Sequence, residues 1–531
     1  MKIIGRGSWI DKLALDALAY KKRMGKKTEL FRTESGLGAS GFPHIGSFSD
    51  AARSFITKLA VEDAGHKSEF IAYSDDMDGL RKVPAGMPNT DELKKYIGVP
   101  VTDIPDPFNC HESYGIHMSS MLIDALDTCG VEFTSVSARE MYKKGVFTKQ
   151  IELILANAEK VGDIVKELTG QEKYTEVLPY YAVCENCGNM YTTKVTEFHP
   201  ETHSVFYTCI DSPLRDEIIK GCNHQGFADY TKDQGKLNWK VEFAARWDAL
   251  GIDFEAYGKD IHDSVVVNDQ IQREILQTAP PYHERYEMFL DKGGTKISKS
   301  LGNVLTPQVW LRYGSCKSLM LLMLKRFQGT RSVGIEDIPK LMDEYDYLED
   351  IYFGVRKEKN EAKRIKNIAL YEYTNLLKPP ETRPEHVPYN ILINLVSVAP
   401  ETAIDEFLMA KLEELGYLKD GHKKGLKDRF QFAKNWVEDF KEIEVEPVEL
   451  SINEKNAIKD LIPMLEENES GEVIQQAIFE TARNNSLKPR NFFRLIYRIL
   501  LGTDSGPKLG PYIAIAGPRK VAKRLSFLSG L

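Results

Sequence analysis

No stretch of this chain is apolar for the roughly 18 residues that a bilayer-spanning helix needs. The N-terminal MKIIGRGSWIDKLALDAL carries charges where a secretory signal would have its apolar core. Both absences predict a cytoplasmic protein with no membrane partner. Positive charge is short as well: 70 Lys and Arg stand against 78 Asp and Glu, a net charge of −8. That excludes nonspecific nucleic-acid binding over the whole surface while leaving room for a local basic patch. Repeats and low-complexity tracts are missing, so the 531 residues must divide into several compact domains, each with its own core. Cysteine is scarce, seven in all, and the odd number argues against a disulfide framework.

The few cysteines are unevenly placed. Cys184, Cys187, Cys209 and Cys222 fall in one window of about 40 residues, a clustering that points to metal. Cys184-x-x-Cys187-Gly188 reads as a metal knuckle, its glycine free to turn left-handed so that amides face the sulfurs. Cys222 precedes Asn223, the next best residue for that turn, and so belongs to a second knuckle. The position three before it is Ile219, which cannot ligate; Cys209 is the favoured fourth ligand and His224 the alternative. Four protein ligands would make this a structural Zn2+ site. Cys110, Cys129 and Cys316 read as buried thiols, and His111 and His117 as ordinary surface or capping residues.

Periodicity divides the chain. TELFRTESG reads as a strand, Ile45 to Ala64 as a helix and HKSEFIAYSDD as a second strand. A strand, glycine turn, helix, strand unit predicts an α/β domain, a doubly wound parallel sheet of Rossmann type with its ligand at the carboxyl ends of the strands. VEFTSVSAR continues the pattern as a strand and FTKQIELILANAEKVGDIVKEL as one long helix. The expected boundaries are 1–173 for the first part of the catalytic domain, 174–236 for an inserted zinc-binding β module and 237–303 for the second part. A connecting helical region follows at 304–345 and an all-α domain at 346–531.

Two stretches carry chemistry. In GFPHIG, Gly41, Pro43, His44 and Gly46 occupy a strand-to-helix turn where backbone approaches a ligand and free amides favour phosphate. In FLDKGGTKISKSLGNV, Lys296 and Lys299 with Ser298 sit on a glycine loop that can fold two ammonium groups over a triphosphate. Together PHIG and KISKS resemble the two signatures of class I aminoacyl-tRNA synthetases, with Ser47 in place of the second histidine and Ile297 in place of methionine. ESGLGASGFPHIG, AYSDDMDGLRKVP, EAYGKD and the C-terminal TDSGPKLGPYIAIAG look like the class I lysyl-tRNA synthetase family.

That resemblance implies a ligase that joins L-lysine to tRNA(Lys), using ATP and Mg2+, with a helical anticodon-binding cage at the C-terminus. It implies His44, Lys296 and Lys299 as catalytic residues, Gly258 and Asp260 at the ribose, Trp239 and His262 along the lysine side chain, and Gly36 and Gly38 at the pocket floor. A lysine substrate brings two ammonium groups, so its pocket should offer carboxylates. Glu34 ends the first strand, and Asp75, Asp76 and Asp78 crowd the end of the second. Three acids in four residues repel unless cations sit among them, and Arg81 and Lys82 are nearest in sequence. From 488 to 531 nine Lys or Arg face one acid, Asp504. Aromatics lie among them, so Arg490, Phe493, Arg494 and Arg498 are expected to contact tRNA. A small nucleotidylyltransferase leaves the cysteine module and helical end unexplained. A noncatalytic tRNA-binding relative leaves His44 and the lysine pair unexplained, and a glutamate-like synthetase of the same class is the nearest alternative substrate.

Overall fold

The computed structural model describes residues 4–26, 28–172, 174, 176–214, 217–287, 289–293, 305–326, 329–397, 399, 404–418, 426–440, 450–501 and 508–529. They form two compact units. The first comprises 1–310, 319–335 and 357–379, so it takes in the helix Glu361–Thr374, which lies beyond the boundary read at 346. The second comprises 311–318, 336–356 and 380–531.

A five-stranded parallel sheet organises the first unit. β1 (Phe31–Leu37) lies at its centre, flanked on one side by β2 (Ser68–Ser74) and then β3 (Thr134–Ser137). On its other side are the strands Phe254–Gly258 and then Tyr282–Tyr286. All four pairings are parallel. The chain therefore grows outward from β1 in one direction and later in the other. The crevice between β1 and Phe254–Gly258 is the switch point where such sheets bind ligands. Helix α1 (Trp9–Arg23) opens with a capping box, Ser8 and Asp11 each satisfying the other's backbone amide. Helix α2 (Ile45–Asp63) follows β1 and is buried along most of its length, from Phe48 to Val61 with Asp50 half-exposed.

The stretch expected as one long helix is two, Thr148–Ala156 and Ala158–Thr169. Asn157 between them sits at φ −115° and ψ 29°. Its amide donates to the Leu153 carbonyl at 2.8 Å, an asparagine competing for the backbone and breaking the ladder.

The inserted module begins and ends on one antiparallel pair, Tyr180–Ala182 with Gly235–Leu237, so the excursion returns to its point of departure. Its body is an antiparallel sheet of Thr193–His199, Ser204–Cys209 and Gln225–Asp229. In the second unit, helices carry the described residues, among them Ile338–Tyr352, Tyr389–Val396, Leu426–Asp439, Gly471–Asn484 and Pro489–Leu501. No helix among the described residues is long and apolar enough to cross a membrane.

Candidate active site and metal clusters

The turn after β1 answers what its histidine and glycines do. His44 is the N-cap of α2, and its Nδ1 accepts the Ser47 backbone N–H at 3.2 Å. An imidazole that accepts at Nδ1 carries its neutral-form proton on Nε2, which leaves Nε2–H as a donor beside the helix start. The ring lies across Gly46: a Cβ there would stand 2.7 Å from His44 Cε1 and Nδ1, so any side chain would displace the imidazole. Ser47 thus contributes its amide to holding His44.

The turn opens on a cleft of about 400 Å³ at the switch point. Of the residues expected in a nucleotide or lysine site, Gly36, Gly38, His44, Gly46, Asp75, Trp239, Gly258 and Asp260 line it. Gly41, Pro43, Asp76, Asp78 and His262 are not among its lining residues. Lys296, Ser298 and Lys299 lie outside the described residues.

Glu34 sits beneath the cleft, 0% exposed, with Arg246 Nε at 2.6 Å but no well-aligned hydrogen bond to either oxygen. Arg246, from the helix Trp239–Leu250, also reaches Asp75 at 3.2 Å and Glu255 at 3.4 Å, and its guanidinium lies 4.5 Å from the centre of the Tyr73 ring. Trp247 Nε1 donates to Glu255 at 2.5 Å. Beside this group Lys236 bridges Asp78 at 2.6 Å and Glu242 at 2.7 Å. Five carboxylates thus share two buried cations.

Burial raises Glu34 well above the usual carboxylate range against the pull of Arg246, and pushes Asp75 up to about 7 in the same way. Burial also acts to raise Asp78, but Lys236 and Arg81 together hold it below its ordinary value.

The neutralising cations therefore differ from those nearest in sequence. Arg81 donates from Nε to the Tyr191 hydroxyl at 3.1 Å and acts on Asp78 only through space, while Lys236 and Arg246, about 160 residues on, make the close pairs. Asp76 accepts the Arg139 backbone N–H at 2.9 Å. His262 stacks on Tyr257 with 7° between the rings and meets its hydroxyl at 3.0 Å. Sequence reasoning missed Arg246, Lys236, Glu242 and Glu255, since each reads as an ordinary residue of a helix or strand.

The four cysteines of the inserted module converge, with all four sulfurs within 4.8 Å of one another. Cys184 and Cys222 are 3.6 Å apart and Cys187 and Cys209 3.7 Å. A tetrahedron with bonds of about 2.3 Å has edges of about 3.8 Å, so the set fits one thiolate-bound ion. Gly188 at φ 72° and Asn223 at φ 60° make the two left-handed turns. His224 is turned away, its Nε2 on Glu185 at 2.7 Å, and Cys209 takes the fourth place.

A second group was not expected: Asp106, Cys110, His111 and His117 also bring their ligand atoms within 4.8 Å of one another. Cys110 Sγ lies 3.2 Å from His111 Nδ1 and 3.3 Å from His117 Nδ1. Burial acts to raise Asp106, yet the N–H groups of Cys110, Phe108 and His111 hold it well below the usual range. Cys110 is exposed, not the buried thiol that its isolation suggested; Cys129 is buried and Cys316 half-buried. The spacing Asp-x3-Cys-His-x5-His was the available signal.

In the second unit, Arg490 and Arg498 are exposed and Arg494 is half-buried on the helix Pro489–Leu501. Phe493 packs on Phe479 with ring centres 4.6 Å apart. Two other cations of the basic run bond within the unit: exposed Lys520 donates to the Ser397 carbonyl at 3.0 Å, and half-buried Arg524 to Asn394 at 3.1 Å.

Residues 7–376 match the family model "tRNA synthetases class I (K)" and residues 403–528 the model "Anticodon binding domain". A lysine–tRNA ligase of Cenarchaeum symbiosum is 47% identical over 522 residues, 98% of this chain and 99% of that one. One from Rickettsia bellii (strain OSU 85-389) is 31% identical over 502 residues, 92% of each chain. One from Roseobacter denitrificans is 32% identical over 505 residues, 91% of this chain and 89% of that one.

Proposed function

This chain belongs to the class I (K) tRNA synthetases, and from that premise we propose that it is a lysine–tRNA ligase of the cytoplasm. The observation that carries the substrate is the charge deficit around the cleft. Five carboxylates surround Arg246 and Lys236, and a lysine would bring one ammonium on its α-carbon and another on its side chain. A glutamate substrate would place a side-chain carboxylate in the same surroundings where lysine places an ammonium group.

In the reaction an oxygen of the lysine carboxylate attacks the α-phosphorus of ATP. The bond to the bridging oxygen breaks, pyrophosphate leaves and lysyl-adenylate forms. A terminal ribose hydroxyl of tRNA(Lys) then attacks the lysyl carbonyl and releases AMP. His44 offers Nε2–H to a phosphate oxygen, its ring held by the Ser47 amide, and the start of α2 adds its free amides. Gly258 and Asp260 face the ribose, Asp75 and Trp239 the lysine, while Glu34 acts from below through Arg246. Lys296 and Lys299 carry charge to the departing pyrophosphate, as the resemblance implies. Mg2+, when bound with ATP, neutralises phosphate charge.

Zn2+ is the ion the four cysteines fit, since thiolate sets with edges near 3.7 Å suit a tetrahedral, closed site. Its role is to hold the inserted module together. Cys209→Ser should lower bound zinc per chain and His224→Ala should leave it unchanged, by metal analysis of the purified protein. Arg490, Phe493, Arg494 and Arg498 hold tRNA, and neutralising Arg490 and Arg498 should flatten the salt dependence of its binding.

The primary test is exchange of pyrophosphate into ATP, with and without tRNA, for each amino acid in turn. Exchange supported by lysine is expected; exchange supported by glutamate and not by lysine would overturn the reading.

A further inference from the structure

Asp50 lies four residues beyond Gly46 on α2, on the same helix face, and lines the cleft. Its Oδ1 is shut off from solvent and has no hydrogen-bond partner. The nearby Arg53 is engaged elsewhere: it donates to Glu284 at 2.7 Å and to the carbonyls of Met323 at 3.2 Å and Arg326 at 3.0 Å. A buried acceptor left without a donor costs about 1–3 kcal/mol, so one kept at the wall of a binding cleft calls for a ligand that supplies the donor.

Two kinds of ligand can do so, a cation or a group bearing N–H or O–H. Among the described residues, Asp50 belongs to no group of three or more acids, imidazoles or thiolates close enough to share one ion, which weakens the first. Burial raises the Asp50 carboxyl well above its usual range, and Asp260 is the charged neighbour that raises it most. Asp50 and Asp260 therefore face the same part of the cleft, from α2 and from the end of the strand Phe254–Gly258. A ribose presents two adjacent hydroxyls, each with one proton to donate, and two carboxylates converging from opposite elements match that pattern.

We propose that Asp50 is a nucleotide-specificity residue whose buried Oδ1 accepts a hydrogen bond from a ribose hydroxyl of ATP, so that the protein distinguishes ribonucleotides from their deoxy counterparts. This rests on the reading of the cleft as an ATP site. The hydrogen bond is made to a buried oxygen with no other partner, and its loss weakens ATP by about tenfold. The nucleotide that lacks the hydroxyl gains nothing from Asp50 and loses nothing with it.

The experiment uses the full chain and measures lysine-dependent pyrophosphate exchange with ATP, 2′-dATP and 3′-dATP in the presence of tRNA, alongside melting temperatures without ligand. The parent should prefer ATP to one of the two analogues by about tenfold or more. Asp50→Ala should bring that preference to within about twofold by raising KM for ATP alone. Asp50→Asn, which keeps one acceptor oxygen, should fall between. It should also melt no lower than the parent, because an amide of the same shape replaces a carboxyl whose buried Oδ1 has no partner. An unchanged preference in Asp50→Ala would overturn the inference. So would a lowered melting temperature in Asp50→Asn with all three nucleotides weakened alike, which is the signature of a structural role. If the parent supports no exchange with any nucleotide, the ligase reading falls and takes this inference with it; exchange with an unmoved preference sinks the inference alone.

Discussion

Asp75 in the first unit and Asp343 in the second are both half-buried carboxyls pushed up to about 7, chiefly by desolvation, yet their surroundings differ in kind. Asp343 accepts the Tyr389 backbone N–H at 2.7 Å, at the start of a helix. Around it each neighbouring acid has its own partner: Arg429 pairs with Asp346, Arg383 reaches Asp350 at 2.7 Å, and a ring nitrogen of His386 lies 3.0 Å from Glu349. Asp75 lines a cleft, and its neighbours leave acids in excess of cations. The same shift thus marks two things. A matched network closes on itself and serves the fold, whereas an unmatched one beside a cavity is completed by a ligand.

The strongest way to break this contrast is to remove the cation from each network. Arg246→Gln leaves Glu34, Asp75 and Glu255 buried without their shared partner, and Arg429→Gln does the same to Asp346. Losing one partner of a buried pair costs about 3–5 kcal/mol, so both variants should unfold at clearly lower urea. Only Arg246→Gln should also abolish lysine activation when assayed below its transition. If Arg246→Gln keeps the parent KM for lysine, the network under the cleft is structural after all.

A smaller effect sharpens the comparison. Asp75→Asn should raise KM for lysine by about tenfold to a hundredfold, the loss of a charge-assisted contact to an ammonium group, with kcat less affected. Asp343→Asn should leave that KM unchanged. Equal KM values for lysine in the two variants would remove the distinction between the open and the closed carboxyl.

How much of this was legible in the sequence follows from how far apart the cooperating residues lie. The β1 turn could be read because its signal is local: glycines and one histidine within a few residues, each meeting a steric or capping demand of that turn. The cysteine module was legible for the same reason, and the strand pairing that brings Cys209 beside Asn223 agrees with the preference for Cys209 over His224. Arg246 and Lys236 were illegible because their partners sit on β1 and just beyond β2, more than 150 residues earlier, and nothing in AARW marks a helical arginine as the hub of a buried network. The cations adjacent to Asp75 in sequence were the natural guess; the parallel sheet brings remote ones to the same place. In the basic C-terminal run the sequence could not show that Lys520 and Arg524 also hydrogen-bond within their own unit, to partners more than 120 residues earlier.

The last prediction is the smallest and turns on sign. Asp75 has its carboxyl raised from 3.8 to about 7, so between those values the folded protein holds a proton that the unfolded chain has released. Its contribution to stability therefore falls as pH rises across that window, and Asp343 contributes a fall of the same sign. Stability alone cannot tell the two apart. Lysine binding can, because an ammonium group favours the ionised carboxylate: with Asp75 facing the substrate, KM for lysine should drop as pH rises toward 7, by up to about tenfold per unit, and level off above it. Asp75→Asn should flatten that slope, and Asp343→Asn should leave it intact while reducing the pH dependence of stability. Measuring KM for lysine from pH 6 to pH 8 in the three proteins decides the matter, and a slope that survives in Asp75→Asn would assign the titration to another acid of the network.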